Sequence, residues 1–280
     1  MAMTESQALP TRSIFFISDH TGITAETLGH TLLTQFDGVT FQEVSCTFVA
    51  SESRAREVAD LLRESAKETG KRPIVFSTLV DAALRGIIAQ SGALVIDLFE
   101  WGIPALENEL GMKAGHALGR SHGMGDVHRY HWRIEAVNFA LAADDGGALE
   151  RYSRADVILL GVSRSGKTPT CVYLAMHFGV LAANYPLMEE DLQSQNLPPE
   201  VMEHKKKLFG LTIEPARLAQ IREQRLSGSR YASREQCERE MLLAKSLYQS
   251  LGIPFLDSTN RSIEELSATI LAQAHLPRRF

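Results

Sequence analysis

Residues 155–179 read ADVILLGVSRSGKTPTCVYLAMHFG, and this stretch leaves few folds open. Val157, Ile158, Leu159 and Leu160 form an unbroken apolar, β-rich run. Val172, Leu174, Ala175 and Phe178 recur at helical spacing. A strand that feeds a helix through a short turn is the start of a βαβ unit. The next strand of such a unit lies parallel, and a strand covered by helices on both faces reads as a continuous apolar run. The turn itself is Gly161-Val162-Ser163-Arg164-Ser165-Gly166-Lys167-Thr168, or G-x-x-x-x-G-K-T. Its placement after a strand and before a helix makes it credible as a phosphate loop.

The same rhythm fills the first half of the chain. SIFFIS, EVSCTFV, PIVFST and ALVIDLF read as strands, and AETLGHTLLTQF, SRAREVADLLRESAKET and DAALRGIIAQ as helices. Short strands alternating with helices of this length predict a wound, mainly parallel sheet. GMKAGHALGRSHGMGDVHRY, residues 111–130, breaks the rhythm and reads as a long loop. HWRIEAVNFALAADDGG then reads as a helix with Ile134, Val137 and Leu141 on one face, stopping at Asp144-Asp145-Gly146-Gly147. Beyond it, VLAANYPL, KKLFGLTI and IPFLDS read as strands. PARLAQIREQR, SREQCEREMLLAKSLYQSLG and SIEELSATILAQA read as helices, the second opened by a Ser233/Gln236 capping box. The expected organisation is a disordered tail over residues 1–12, an N-terminal α/β domain over 13–147 and a C-terminal P-loop kinase-like α/β domain over 148–280.

With 280 residues the chain is long enough for two domains. A formal charge of −5 gives no general polyanion surface, so nucleic acid is not an expected partner. The opening MAMTESQALPTRS is polar and has no apolar core of a signal peptide. No run of about 18 apolar residues exists to span a membrane. Cys46, Cys171 and Cys237 are odd in number and widely spaced, which fits a reducing compartment. A cytoplasmic location is the expectation, and no membrane association is expected.

The loop chemistry dictates roles. Glycines let the backbone close around an anion, and backbone N–H groups with the helix N-terminus face the phosphates. Lys167 adds a positive charge over the transferring phosphoryl group, and Thr168 offers a hydroxyl to Mg²⁺. Arg164 either adds a phosphate contact or faces solvent. Kinases, ATPases and GTPases all use such a loop, and the absence of N-K-x-D disfavours GTP. Asp97 and Asp257 each end a strand and are the candidates for a second metal-holding carboxylate, although turn aspartates are common at strand ends. His116, His122, His128 and His131 lie close together, but they lack the ligand spacing of a zinc site. With Arg120 and Arg129 among them, anion contact is as good a reading.

Several segments together resemble one family. They are FISDHTGITAETLGHTLLTQF, GRSHG, RIEAVNFALAADDG, LLGVSRSGKTPTCVYLAMHFGVLAANYPL, KLFGLTIEPARLAQIREQR, SRYASREQCEREM and IPFLDSTNRSIEELSATIL, and they span about residues 13–274. The chain is similar to the bacterial and plant regulatory proteins of the pyruvate dikinases, and most to the bacterial phosphoenolpyruvate synthase branch. One departure is His20, where the family commonly has glycine. The resemblance implies a bifunctional serine/threonine kinase and phosphorylase. It implies transfer of the β-phosphate of ADP to a target threonine, and the reverse with inorganic phosphate, forming pyrophosphate. Phosphoenolpyruvate synthase is the implied partner, with pyruvate, phosphate dikinase or a small metabolite as the alternative acceptor. A homodimer is one option for its assembly. On this reading Gly161 to Thr168 bind the phosphates and Lys167 is catalytic. A threonine proton needs a base. Asp145 is the first candidate, with Asp144, Asp19 and Asp257 behind it.

Overall fold

A computed structural model of the chain describes residues 10–115, 127–144 and 149–279. The described residues form eight strands and eleven α-helices in two compact units, Met1–Gly123 and Met124–Phe280.

The first unit runs β1 (Thr11–Ile17), α1 (Ile23–Leu33), β2 (Thr40–Cys46), α2 (Glu52–Thr69), β3 (Ile74–Ser77), α3 (Ala82–Ala89), β4 (Leu94–Asp97) and α4 (Leu98–Leu110). Its strands are all parallel, in the order β2-β1-β3-β4. Side chains of a strand alternate between faces, so β1 serves two cores. Phe15 and Ile17 pack with Ala55, Val58, Ala59 and Leu62 of α2, while Ile14 and Phe16 pack with Ala25 and Leu33 of α1. Helix α2 starts where the Ser51 side chain accepts from Arg54 N–H and ends at Gly70, φ 63°.

The second unit runs α5 (Val127–Ala142), β5 (Val157–Gly161), α6 (Lys167–Phe178), β6 (Ala182–Pro186), α7 (Glu189–Ser194), α8 (Pro199–Met202), β7 (Leu208–Thr212), α9 (Pro215–Glu223), α10 (Arg234–Leu251), β8 (Phe255–Asp257) and α11 (Ile263–Gln273). Its strands are again all parallel, in the order β6-β5-β7-β8. The α/β class and the two parallel sheets agree with the sequence reading.

The sequence reading put a boundary at residue 147, which leaves α5 with the first sheet. In the structure α5 packs with the second. Ala136, Phe139, Ala140 and Ala143 are buried in the core of the second unit. Trp132 Nε1 donates to Gly179 O at 2.7 Å. Of the face marked in the sequence, Val137 is partly buried against this core, whereas Ile134 and Leu141 are exposed. The Ser233 cap of α10 forms with Gln236 N–H, but the Gln236 side chain turns to Glu240 instead of closing the box. Much of the expected loop 111–130 lies outside the described residues, His116, Arg120 and His122 included, whereas His128 and His131 sit on α5. Among the described residues no helix is long and apolar enough to cross a membrane.

Candidate phosphate-handling site

Strand β5 delivers Gly161 to the carboxyl edge of the second sheet. No side chain fits there, because Ser165 Oγ and Leu211 O crowd the space a Cβ would take. The backbone then turns through Arg164, φ 74°, and Gly166, φ 96°. Gly166 is the N-cap of α6 and offers no side-chain acceptor. A helix whose N-terminus is not capped by its own side chain keeps N–H groups and the positive end of its dipole for an anion. A Cβ on Gly166 would meet no protein atom, so its open side belongs to the cleft it lines.

Three distant side chains hold this turn. Arg222, at the end of α9, is 1% exposed and donates to Ser163 O through Nε and Nη2, at 3.3 and 3.1 Å. Its charge is met by Glu240 of α10 at 2.7 Å, and its guanidinium lies 4.1 Å from the Tyr231 ring centroid. The Tyr231 hydroxyl lies 2.8 Å from Ser163 Oγ. Ser258, just after β8, has its hydroxyl 3.0 Å from Ser165 O. A buried guanidinium that keeps its carboxylate and its carbonyl acceptors is stable in place, whereas losing one partner costs about 3–5 kcal/mol.

The chemical groups converge at the start of α6. Lys167 is buried, and its Nζ donates to Val162 O at 3.0 Å. Thr168 Oγ1 donates to Asp144 Oδ1 at 2.9 Å. Asn184 Nδ2 donates to the same Asp144 oxygen and to Thr168 Oγ1 at 3.2 Å. Asp144 comes from the segment after α5. It is set against β6 because Asn184 N–H donates to Ala143 O at 3.2 Å. The packing of α5 on the second sheet is therefore what brings this carboxylate to the loop. Behind them, burial pushes the Cys171 thiol well above its usual range, the Asp144 carboxylate adds to the rise, and Lys167 opposes it. Asp144, Lys167 and Thr168 border a cleft of about 520 Å³, also lined by Arg164, Pro186, Ile221 and Arg225.

The eight expected loop residues, Gly161 to Thr168, thus sit in one turn. Asp145, the first candidate base, lies outside the described residues, and its neighbour Asp144 reaches Thr168. The strand-end alternatives are occupied locally. Asp97 caps α4 through Phe99 and Glu100 N–H and faces Arg85 at 3.4 Å. Asp257 accepts from Thr259 N–H, and Asp19 from Val80 N–H. His20 needs no left-handed backbone; the left-handed residues beside it are Gly22 and Phe48. The sequence reading missed Asn184, Arg222, Arg225, Tyr231 and Ser258. Only Asn184 left a signal, as a polar residue inside an apolar strand. The Thr168 hydroxyl, the Asp144 carboxylate and the Asn184 amide are oxygen donors of the kind that suit Mg²⁺, which usually takes one or two carboxylates beside substrate phosphates.

Two all-parallel four-stranded sheets with helices between the strands define an α/β protein with a kinase-like fold. The family model described as kinase/pyrophosphorylase matches residues 14–271, and the chain belongs to that family. The chain is 49% identical to a protein of Alcanivorax borkumensis over 269 residues, covering 96% of this chain and 99% of the relative. It is 50% identical to one of Alkalilimnicola ehrlichii over 278 residues, 99% and 100% of the two. It is 50% identical to one of Xanthomonas campestris over 269 residues, 96% and 98% of the two. All three relatives are provisionally named phosphoenolpyruvate synthase regulatory proteins.

Proposed function

We propose that this chain is an ADP-dependent serine/threonine kinase and phosphate-dependent phosphorylase that regulates phosphoenolpyruvate synthase in the cytoplasm. The observation that carries the reading is the Lys167, Thr168, Asp144 and Asn184 cluster at the open N-terminus of α6. Membership in a kinase/pyrophosphorylase family and the names of the relatives support the direction and the target.

In the forward reaction the threonine oxygen attacks the β-phosphorus of ADP. The bond from that phosphorus to the bridging oxygen breaks, AMP leaves with the electron pair, and the threonine proton passes to a base. In the reverse reaction an oxygen of hydrogen phosphate attacks phosphothreonine. The bond to threonine Oγ breaks, pyrophosphate forms, and the proton given up by phosphate ends on the threonine oxygen. Gly161 to Thr168 bind the phosphates through backbone N–H groups, and Lys167 moves from Val162 O to the phosphoryl oxygens. Thr168 and Asp144 would hold Mg²⁺, which would supply charge neutralisation to the phosphates during transfer. Asp144 is engaged with Thr168 and Asn184, so Asp145 takes the role of the base.

Purified phosphoenolpyruvate synthase and ADP labelled in the β-phosphate test this. Label on a threonine of the synthase is the expected result. Label found only on pyruvate, phosphate dikinase, or only on a small metabolite, replaces the target. Binding of ADP with no transfer to any acceptor removes the enzymatic reading.

A further inference from the structure

The cleft contains more positive charge than its lysine accounts for. Arg164 and Arg225 both line it. Among the described residues neither guanidinium has a hydrogen-bond acceptor or an ion-pair partner, whereas Arg222, three residues before Arg225, is fully engaged. Some exposed arginines are paired with a neighbour on their own helix, such as Arg54 with Glu57 and Arg56 with Glu52, whereas Arg164 and Arg225 come from separate segments and line one cleft. Two unpaired guanidinium groups lining one cleft suit an anion, since the guanidinium fork matches phosphate oxygens in geometry and charge.

Hydrogen bonds to the backbone link the two segments that carry them. Arg225 N–H donates to Arg222 O at 3.1 Å, and Arg222 in turn is bonded to Ser163 O of the loop. Arg225 is thereby tied to the turn that positions Arg164. Arg164 itself stands at φ 74°, a conformation a non-glycine residue adopts at a cost, and such strain concentrates at ligand-binding turns. Lys167 and Thr168, the first residues of α6, line the same cleft, and the two arginines add to its positive charge.

We infer that Arg164 and Arg225 form a second phosphate subsite, for the phosphoryl group that is not transferred. This rests on the proposed function. In the forward direction the occupant is the α-phosphate of ADP. In the reverse direction it is free inorganic phosphate, which replaces AMP as the partner of the transferred group. The two occupants differ in what else holds them. The α-phosphate is tethered to a nucleoside and to the β-phosphate on Lys167, whereas inorganic phosphate has this subsite alone.

Steady-state kinetics of the full chain with its target, in both directions, tests the assignment, together with direct binding of pyrophosphate and ADP by calorimetry. Arg225→Gln raises the KM for inorganic phosphate by about 10- to 100-fold, the loss of one or two charge-assisted bonds. The same variant changes the KM for ADP by less than about 5-fold, and kcat in either direction little. Arg225→Lys restores part of the phosphate affinity, and Arg164→Gln also raises the KM for inorganic phosphate. Unchanged KM for phosphate in both glutamine variants overturns the subsite. So does an equal fall in kcat in both directions with KM unchanged, which would place the arginines on the transferred group. If the wild-type chain binds neither pyrophosphate nor ADP, or if Lys167→Ala transfers phosphate normally, the proposed function itself has failed. Normal wild-type transfer with inert arginine variants removes only the subsite.

Discussion

The two sheets have one topology and different contents. Each runs second strand, first, third, fourth, all parallel. Each first strand ends in a turn whose last glycine is left-handed and caps the next helix without a side-chain bond: Gly22, φ 80°, and Gly166, φ 96°. In such sheets ligands bind beyond the carboxyl ends of the strands, where the order reverses, and both turns lie there. The residues after the glycine differ. In the first unit Ile23 comes next, half exposed, and the turn is fastened by Asp19 to Val80 N–H and by Ser18 to His20 N–H. In the second Lys167 and Thr168 come next, with Asp144 and Asn184 brought alongside. Topology gives both units the same kind of turn, and only the second sets a cation, a hydroxyl and a carboxylate beside it.

The largest expected effect tests this contrast directly. Lys167→Ala lowers transfer from ADP by about 10³-fold or more, through loss of charge stabilisation in a desolvated site. Ile23→Ala, at the matching position of the first turn, leaves the rate within about 2-fold. Comparable losses in both variants, measured with labelled ADP, would break the distinction between the turns. The next contrast is between neighbours. Asp145→Asn loses about 10²- to 10⁴-fold in the forward direction and less in reverse, where the attacking phosphate is already largely ionised. Asp144→Asn loses rate in both directions and raises the Mg²⁺ concentration needed for half-maximal rate. Equal losses in both directions for Asp145→Asn would move the base elsewhere.

A smaller effect separates the units themselves. Cys46 is buried in the first, and Cys171 and Cys237 in the second. Burial raises all three thiols, so at neutral pH little thiolate is available and native labelling by a disulfide reagent is slow. The first unit divides its core between the two faces of its sheet, while the second has one continuous cluster. Cys46 is therefore expected to become reactive at lower urea than Cys171 and Cys237. Simultaneous exposure of all three would show one cooperative unit. The smallest effect is at Arg164. Relief of a left-handed arginine is worth about 1–2 kcal/mol and the added chain entropy of glycine costs about 0.5–1. Arg164→Gly should therefore raise the urea midpoint, by up to about 1.5 kcal/mol of stability, while weakening phosphate binding.

Strands and the loop were legible because their signals are local. Apolar runs such as Ile14 to Ile17 and Val157 to Leu160 are buried on both faces, and the G-x-x-x-x-G-K-T spacing is contained in one turn. Helix α4 was missed because Gly102 and Pro104 interrupt it and none of its residues is buried, so no apolar stripe is written. The short helices α7 and α8 leave too few residues for a period. Helix α5 was placed with the wrong sheet because its packed face is built of alanines, whose spacing is weak against that of Ile134 and Leu141. The meeting of Asp144 with Asn184, and of Arg222 with Ser163, joins residues 40 and 59 positions apart. Nothing in the chain near either residue announces its partner.

The bond from Lys167 Nζ to Val162 O has a consequence for the heat and the salt sensitivity of binding. On the proposed function, an arriving diphosphate would not find an idle ammonium group; it would exchange one acceptor for another. Thr168, already bonded to Asp144, would likewise change partners on metal entry. Such swaps conserve the number of bonds, so the enthalpy of association is modest. Its free energy then comes from replacing a neutral carbonyl by a multiply charged anion and from releasing ordered water and counterions. Affinity for the nucleotide should accordingly fall as ionic strength rises, the screening length shrinking from about 10 Å at 0.1 M salt to about 3 Å at 1 M.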